Sequence, residues 1–156
     1  MAINHLCVVS RGDQVLTYNN TNKKYSIFNC PEGTGASMSA LQTIATLLEN
    51  IPEDETNLNI ILIPKNLGLL LKKETAYEVR DNNYTTKTGK KLTKEYIDMM
   101  CYINDLREWF GTNIVRFKIA GSEALYANEK KIIKDTWNKF DELTKQNIEI
   151  KTINAD

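Results

Sequence analysis

The chain is poor in the residues that most often announce a chemistry. His5 is its only histidine. With no serine, cysteine or acid pattern beside it, it reads as structural rather than catalytic. Cys7, Cys30 and Cys101 are an odd number with no close pair. That pattern points to reduced thiols in a cytosol-like compartment rather than a disulfide frame or a zinc site, with each cysteine a small core residue. Glycine is sparse, and Gly33-Thr34-Gly35 is too short for a phosphate loop and lacks the Lys-Ser/Thr that follows one. No apolar run approaches the roughly 18 residues that cross a bilayer. No basic segment precedes a long apolar stretch near the N-terminus, so no secretion signal is visible. An excess of one charge sign is also missing: 20 basic residues balance 20 acidic ones, and the total does not announce a basic nucleic-acid binder.

What is present is ordinary for a soluble globular chain, with 42% apolar and 26% charged residues. A length of 156 residues predicts one domain, 1–156, with a real core. No repeat or linker divides it. The abundance of Asn, Lys and Ile suggests an AT-rich source: a low-GC bacterium, its phage or another virus. The expected location is cytoplasmic, or a host cytoplasm or virion if the source is viral.

Three strands come first, over 5–10, 14–18 and 24–30, joined by the turns Arg11-Gly12-Asp13 and Asn19-Asn20-Thr21-Asn22. Apolar residues recur at three and four over 37–51 (Met38, Leu41, Ile44, Ala45, Leu48), which predicts a helix with Ser37 as its N-cap. The buried run Asn59-Ile60-Ile61-Leu62-Ile63 predicts a fourth strand, and 66–79 a short helix or two. Residues 95–110 read as a helix with Ile97, Met100, Cys101, Ile103 and Leu106 inward, ended by Gly111. A fifth strand follows over 114–120, then an amphipathic helix over 129–146. Residues 147–153 offer a short terminal strand. Trp109 and Trp137 read as core. The order β-β-β-α-β-α-α-β-α implies an α/β fold, a mixed five-stranded sheet flanked by helices.

The C-terminal end of a central strand in such a fold is where ligands and catalytic groups gather. Here the fourth strand ends in Pro64-Lys65-Asn66, a lysine with no carboxylate or nucleophile beside it. A second basic feature is the cluster Lys87, Lys90, Lys91 and Lys94 around Gly89. Lysines at a helix start oppose the helix dipole, which favours a functional reason over a merely solvated loop. Tyr84 is placed to pack under that loop. Lys130, Lys131, Lys134 and Lys139 are mixed with Asp135, Asp141 and Glu142 and read as a solvated face.

The element order and several segments resemble type I ribonuclease H over roughly residues 5–145. SMSALQTIATLLENI is similar to that family's first helix, KTGKKLTKEYIDMM to its basic handle and the helix after it, and FKIAGSEALYANEKKI to its last strand, mobile loop and final helix start. The resemblance implies a sheet in order 3-2-1-4-5 with the second strand antiparallel to its neighbours. It also implies a reaction that needs four carboxylates around two Mg²⁺ ions, which take oxygen ligands almost exclusively. The family's acidic positions fall on Arg11, Ser39, Lys65 and near Ile132, and its loop histidine on Ser122. All are replaced, two of the acids by cations. The expectation is a domain without metal, cofactor or catalysis. It would bind duplex or RNA–DNA hybrid backbone through Arg11, Lys65, Lys87, Lys90, Lys91 and Lys94. The alternative is a protein-interaction or assembly module, such as a viral component or an inhibitor of a host system. A weaker one is a nuclease with relocated acids, Asp13 or Glu129. A membrane partner is not expected.

Overall fold

The computed structural model describes residues 2–145, without the side chains of Leu69 and Lys73. The short strand expected over 147–153 lies outside them. The first three strands form a meander: β1 (Ile3–Arg11), β2 (Gln14–Asn19) and β3 (Lys24–Asn29). Its turns are encoded locally. Gly12 takes φ +61° between β1 and β2, a conformation that L side chains resist. In the next turn the side-chain oxygens of Asn19 and Asn22 accept bonds from the backbone N–H of Thr21 (2.9 Å) and Lys24 (3.0 Å).

After the meander come α1 (Ala36–Glu49), β4 (Leu58–Ile63), a 3₁₀ segment (Lys65–Leu71), α2 (Lys73–Asp81), α3 (Lys94–Phe110), β5 (Val115–Ile119) and α4 (Ala127–Lys145). The sheet order is β3-β2-β1-β4-β5. β1 and β3 run antiparallel to β2, while β4 runs parallel to both β1 and β5. The mixed five-stranded sheet and its order agree with the sequence reading. All six residues of β4 are buried, as a strand covered on both faces requires.

Helices close both faces. On one, Val8, Val15, Ile61 and Ile63 of the sheet pack with Leu41 and Ile44 of α1, Val79 of α2, and Ile97 and Met100 of α3. On the other, Cys7, Val9, Leu16, Ile60 and Leu62 meet Ile132, Phe140 and Leu143 of α4. The strand period of two explains the division: successive residues of β1 and β4 serve opposite faces.

Two local expectations are corrected. The N-cap of α1 is Gly35 at φ +85°, not Ser37, and no side chain caps the helix. The Asp13 carboxylate accepts instead from the N–H groups of Gly33 (3.0 Å) and Gly35 (2.7 Å), which fixes the approach to the helix. Trp109 is not core: it is 64% exposed. At 100° per residue it lies about 120° round the helix from the buried Ile97, so the inward stripe of α3 leaves it outside. Trp137 does pack, partly buried, on the α4-side cluster.

Candidate functional site

At the C-terminal end of β4 the chain turns through Pro64, whose carbonyl accepts from Leu67 N–H (3.0 Å). Leu67 and Leu70 are fully buried and pin the turn, which leaves Lys65 and Asn66 exposed at the strand end. Asn66 Nδ2 donates to Ser37 Oγ (2.5 Å), tying this turn to the start of α1. Between them opens a cleft of about 510 Å³, bordered by Ser10 of β1, Ala36 of α1, Lys65, Gly121 and Trp137. Cys7 also borders it, but burial pushes its thiol up to about 12, only partly offset by a bond with Thr136, so it is no thiolate at neutral pH.

Arg11 lies at the end of the neighbouring strand but does not border this cleft. Its guanidinium pairs with Asp141 of α4 (Nη2–Oδ1 2.8 Å). It also stacks 5.2 Å from the ring centroids of both Trp137 and Phe140. The two cations that the sequence puts at adjacent strand ends therefore serve different surroundings.

The other positions at which the resemblance would place metal ligands carry no carboxylate. Ser39 is fully buried and its Oγ has no hydrogen-bond partner among the described residues. Ile132 belongs to the apolar cluster under α4. Ser122 shapes a turn, its Oγ accepting from Ala124 N–H (3.1 Å). Arg11, Ser39, Lys65 and Ile132 offer no carboxylate oxygen to two hard cations. Among the described residues no group of three or more His, Cys, Asp or Glu is placed to hold a metal ion. The nearby acids are engaged elsewhere. Asp13 holds the Gly33–Gly35 turn, and the Gly35 and Gly33 amides keep its carboxyl below the ordinary range.

Glu129 is the centre of a buried ionic group that sequence reasoning did not assemble. It is inaccessible to solvent. Its Oε2 lies 3.0 Å from His5 Nε2, and its Oε1 accepts from Lys118 Nζ (2.9 Å) and Tyr126 N–H (2.8 Å). Burial alone would raise its pKa, but the Tyr126 amide, Lys118 and His5 outweigh that and hold the carboxyl below its ordinary range. Lys118 is further covered by the Tyr126 ring, 4.1 Å from its ammonium to the centroid. One signal was available: an acid three residues into α4 reaching back to the preceding N–H is half of a capping box. His5, 124 positions away, carries no such signal.

The lysine cluster occupies a short hairpin between α2 and α3. Thr85 and Lys91 bridge across it. Lys90 N–H donates to Thr86 Oγ1 (3.0 Å), Thr86 N–H to Lys90 O (2.8 Å), and Leu92 N–H to Tyr84 O (2.7 Å). Gly89, at φ +90°, makes the reversal. Tyr84 packs partly buried beneath the hairpin and donates its hydroxyl to Asp98 of α3 (2.9 Å). The side chains of Lys87, Lys90, Lys91 and Lys94 remain exposed. Only Lys87 approaches a carboxylate among the described residues, at 3.9 Å from Glu78, and that pair is itself well exposed.

An apolar patch also went unread in the sequence. Trp109 stands edge-on to Phe110, their centroids 4.9 Å apart. Exposed Leu71 borders a separate cleft of about 370 Å³ beside the edge strand β5, together with Arg107, Glu108, Arg116 and Phe117. No helix of the described residues is long and apolar enough to cross a membrane. In comparison with known proteins, the chain matches no family model and no curated protein significantly.

Proposed function

We propose that this chain is a ribonuclease H-like domain without catalysis, which binds the backbone of duplex or RNA–DNA hybrid nucleic acid through its lysine hairpin. One observation carries the reading: four exposed lysines on a braced hairpin, three of them in no ion pair among the described residues. Each phosphate contact from such a lysine releases a condensed counterion, so binding is salt-sensitive and indifferent to sequence. A domain of zero formal net charge can still bind in this way because no carboxylate pairs with Lys90, Lys91 or Lys94 among the described residues. The loss of catalysis is supported by the residues at the family's acidic positions and by the structural bonds that engage Asp13 and Glu129.

The test is an affinity titration of a short hybrid duplex at several salt concentrations, paired with a cleavage assay in Mg²⁺ and Mn²⁺. Binding that weakens with salt, without cleavage, is the expected result. Absence of binding at low salt would sink the nucleic-acid reading. Cleavage abolished by mutating Asp13 or Glu129 would restore the nuclease.

A second reading, a protein-interaction module, is favoured by the exposed side chains of Trp109 and Leu71 and by the position of β5 at the edge of the described sheet. Exposed aromatic and apolar groups next to arginines are typical of protein contact surfaces. If Trp109→Ala abolishes assembly with a partner from the source organism while duplex binding is absent, this reading replaces the first.

A further inference from the structure

We infer that the outer edge of β5 is a docking site for an extended acidic segment of a protein partner, which adds to the five-stranded sheet as a further strand. The inference deepens the protein-interaction reading above and rests on it. β5 closes one side of the described sheet, and β4 is its one strand neighbour among the described residues. Such an edge presents unpaired N–H and C=O groups, the template on which a peptide strand adds.

The ladder fixes which groups these are. Asn59 N–H donates to Ile114 O (2.6 Å) and Ala120 N–H to Ile63 O (3.0 Å), so by alternation Arg116 and Lys118 turn their backbone groups to β4. Val115, Phe117 and Ile119 turn theirs outward. Two of the outward groups are used locally: Val115 N–H donates to Gly111 O (3.0 Å), and Ile119 O accepts from Ser122 N–H (3.1 Å). Val115 O, Phe117 N–H, Phe117 O and Ile119 N–H have no hydrogen-bond partner among the described residues. Donors and acceptors therefore alternate along the edge. A peptide backbone meets both kinds, whereas a phosphodiester backbone, with acceptors alone, would leave the carbonyls unmet.

The cleft of about 370 Å³ runs along these groups. It is bordered by Val115 and Phe117, whose side chains are buried in the α3-side cluster. It is also bordered by Arg116, which by strand alternation shares the α4 face with Lys118. A space bordered from both faces follows the strand edge. Its charged borders are Arg107, Arg116 and Glu108. Arg116 Nε donates to Thr112 O (2.7 Å), which leaves its two Nη groups to give. Arg107 stacks 5.0 Å from the Phe117 ring centroid; burial lowers its pKa, and Glu108 offsets that only in part. Neither arginine is in an ion pair among the described residues. One arginine on each face matches carboxylates on successive residues of an added strand, whose side chains alternate in the same way. Exposed Leu71 adds an apolar contact.

A second copy of the chain suits the edge less well. β5 carries Arg116 and Lys118 on one face, so two β5 edges side by side would set like charges against each other. The experiment titrates ¹⁵N-labelled protein with a short synthetic peptide, an Asp-Glu pair flanked by Val and Thr, and with a control peptide whose acids are lysines. Saturable binding of the acidic peptide is expected. The Phe117 and Ile119 amides should shift and gain protection from hydrogen exchange, which loose charge attraction does not give. Arg116→Glu, at an exposed position, should weaken the acidic peptide about tenfold or more and confer binding of the lysine peptide. Arg107→Gln should weaken the acidic peptide several-fold.

Unmoved Phe117 and Ile119 amides, or equal affinity of wild type for the two peptides, overturn the inference. Protection of those amides without peptide, together with a dimer in sedimentation, gives the edge to a second copy and overturns it as well. Protection by a short duplex instead of the peptide does the same. Assembly that Trp109→Ala abolishes, with both amides silent, keeps the protein-interaction reading and removes the added strand. Protection by the acidic peptide, with assembly indifferent to Trp109→Ala, keeps the strand and takes Trp109 out of the contact.

Discussion

Arg11 and Lys65 stand at the ends of neighbouring parallel strands and carry the same charge, yet they have opposite fates. Arg11 lies under α4, clasped by Asp141 and flanked by Trp137 and Phe140. Lys65 borders an open cleft and has no carboxylate partner among the described residues. The division extends across the molecule. Lys118, Lys131 and Lys139 each meet a carboxylate at or beneath α4, while Lys90, Lys91 and Lys94 on the hairpin meet none among the described residues. Position along the sheet does not decide what a cation does; the acids supplied by the packing element do. α4 brings Glu129 and Asp141, which fasten it to Lys118 and Arg11 of the sheet, while Asp135 and Glu142 pair with Lys131 and Lys139 of the helix itself. The hairpin brings lysines without matching acids and leaves them available.

The largest effect should come from breaking the fastened side at its buried centre. Glu129→Ala leaves His5 and Lys118 facing each other without the carboxylate between them. A loss of about 3 kcal/mol is expected in urea unfolding. The same group predicts a pH dependence. Its folded pKa is depressed, so its contribution is full above the ordinary carboxylate range and is lost as pH falls through the folded value. Asp13 acts in the same sense. Stability should fall on acidification, and Glu129→Gln should flatten that fall; an unchanged acid limb would mean that the cluster is not ionised as described.

The available side is tested next. Changing Lys87, Lys90, Lys91 and Lys94 to alanine should lower the slope of log affinity against log salt by up to about 0.9 for each phosphate no longer neutralised. Changing Lys131 and Lys139 instead should leave the slope unaltered, because both are already paired. Equal effects from the two variants would erase the distinction. Arg11→Met should act more weakly, costing about 0.5–1 kcal/mol of stability because its ion pair is half exposed, with no change in duplex affinity. The smallest effect is expected from Asp13→Asn, a modest drop in thermal midpoint through weaker bonds to Gly33 and Gly35.

The sheet was legible because its signals are local and periodic. The buried run of β4, the asparagine turn after β2 and the three-four spacing of α1 each name their element. The hairpin lysines were legible for the same reason, being close together and punctuated by Gly89. Long-range chemistry was not. Nothing near Arg11 in the sequence announces Asp141, and nothing near His5 announces Glu129. Trp109 misled because an aromatic near the end of an apolar helix looks inward until its angle round the axis is counted. Ser37 misled because a carboxylate from a distant turn had already taken the role of preparing the helix start.

The bond between His5 and Glu129 also bears on how the chain comes to exist. β1 is made first, yet it lies at the middle of the sheet, between a hairpin neighbour formed at once and β4, which follows some fifty residues later. Its other face stays open until α4, the last described helix, is made. During synthesis the meander therefore has a half-finished edge and an uncovered apolar face, and folding to completion must wait for pairings of high sequence separation. The ion cluster marks that final closure, since it joins the first strand, the last described strand and the last described helix in one bond network. Nascent chains stopped before Lys118 should hold His5 open to solvent, and those extended past Lys145, with α4 complete, should bury it.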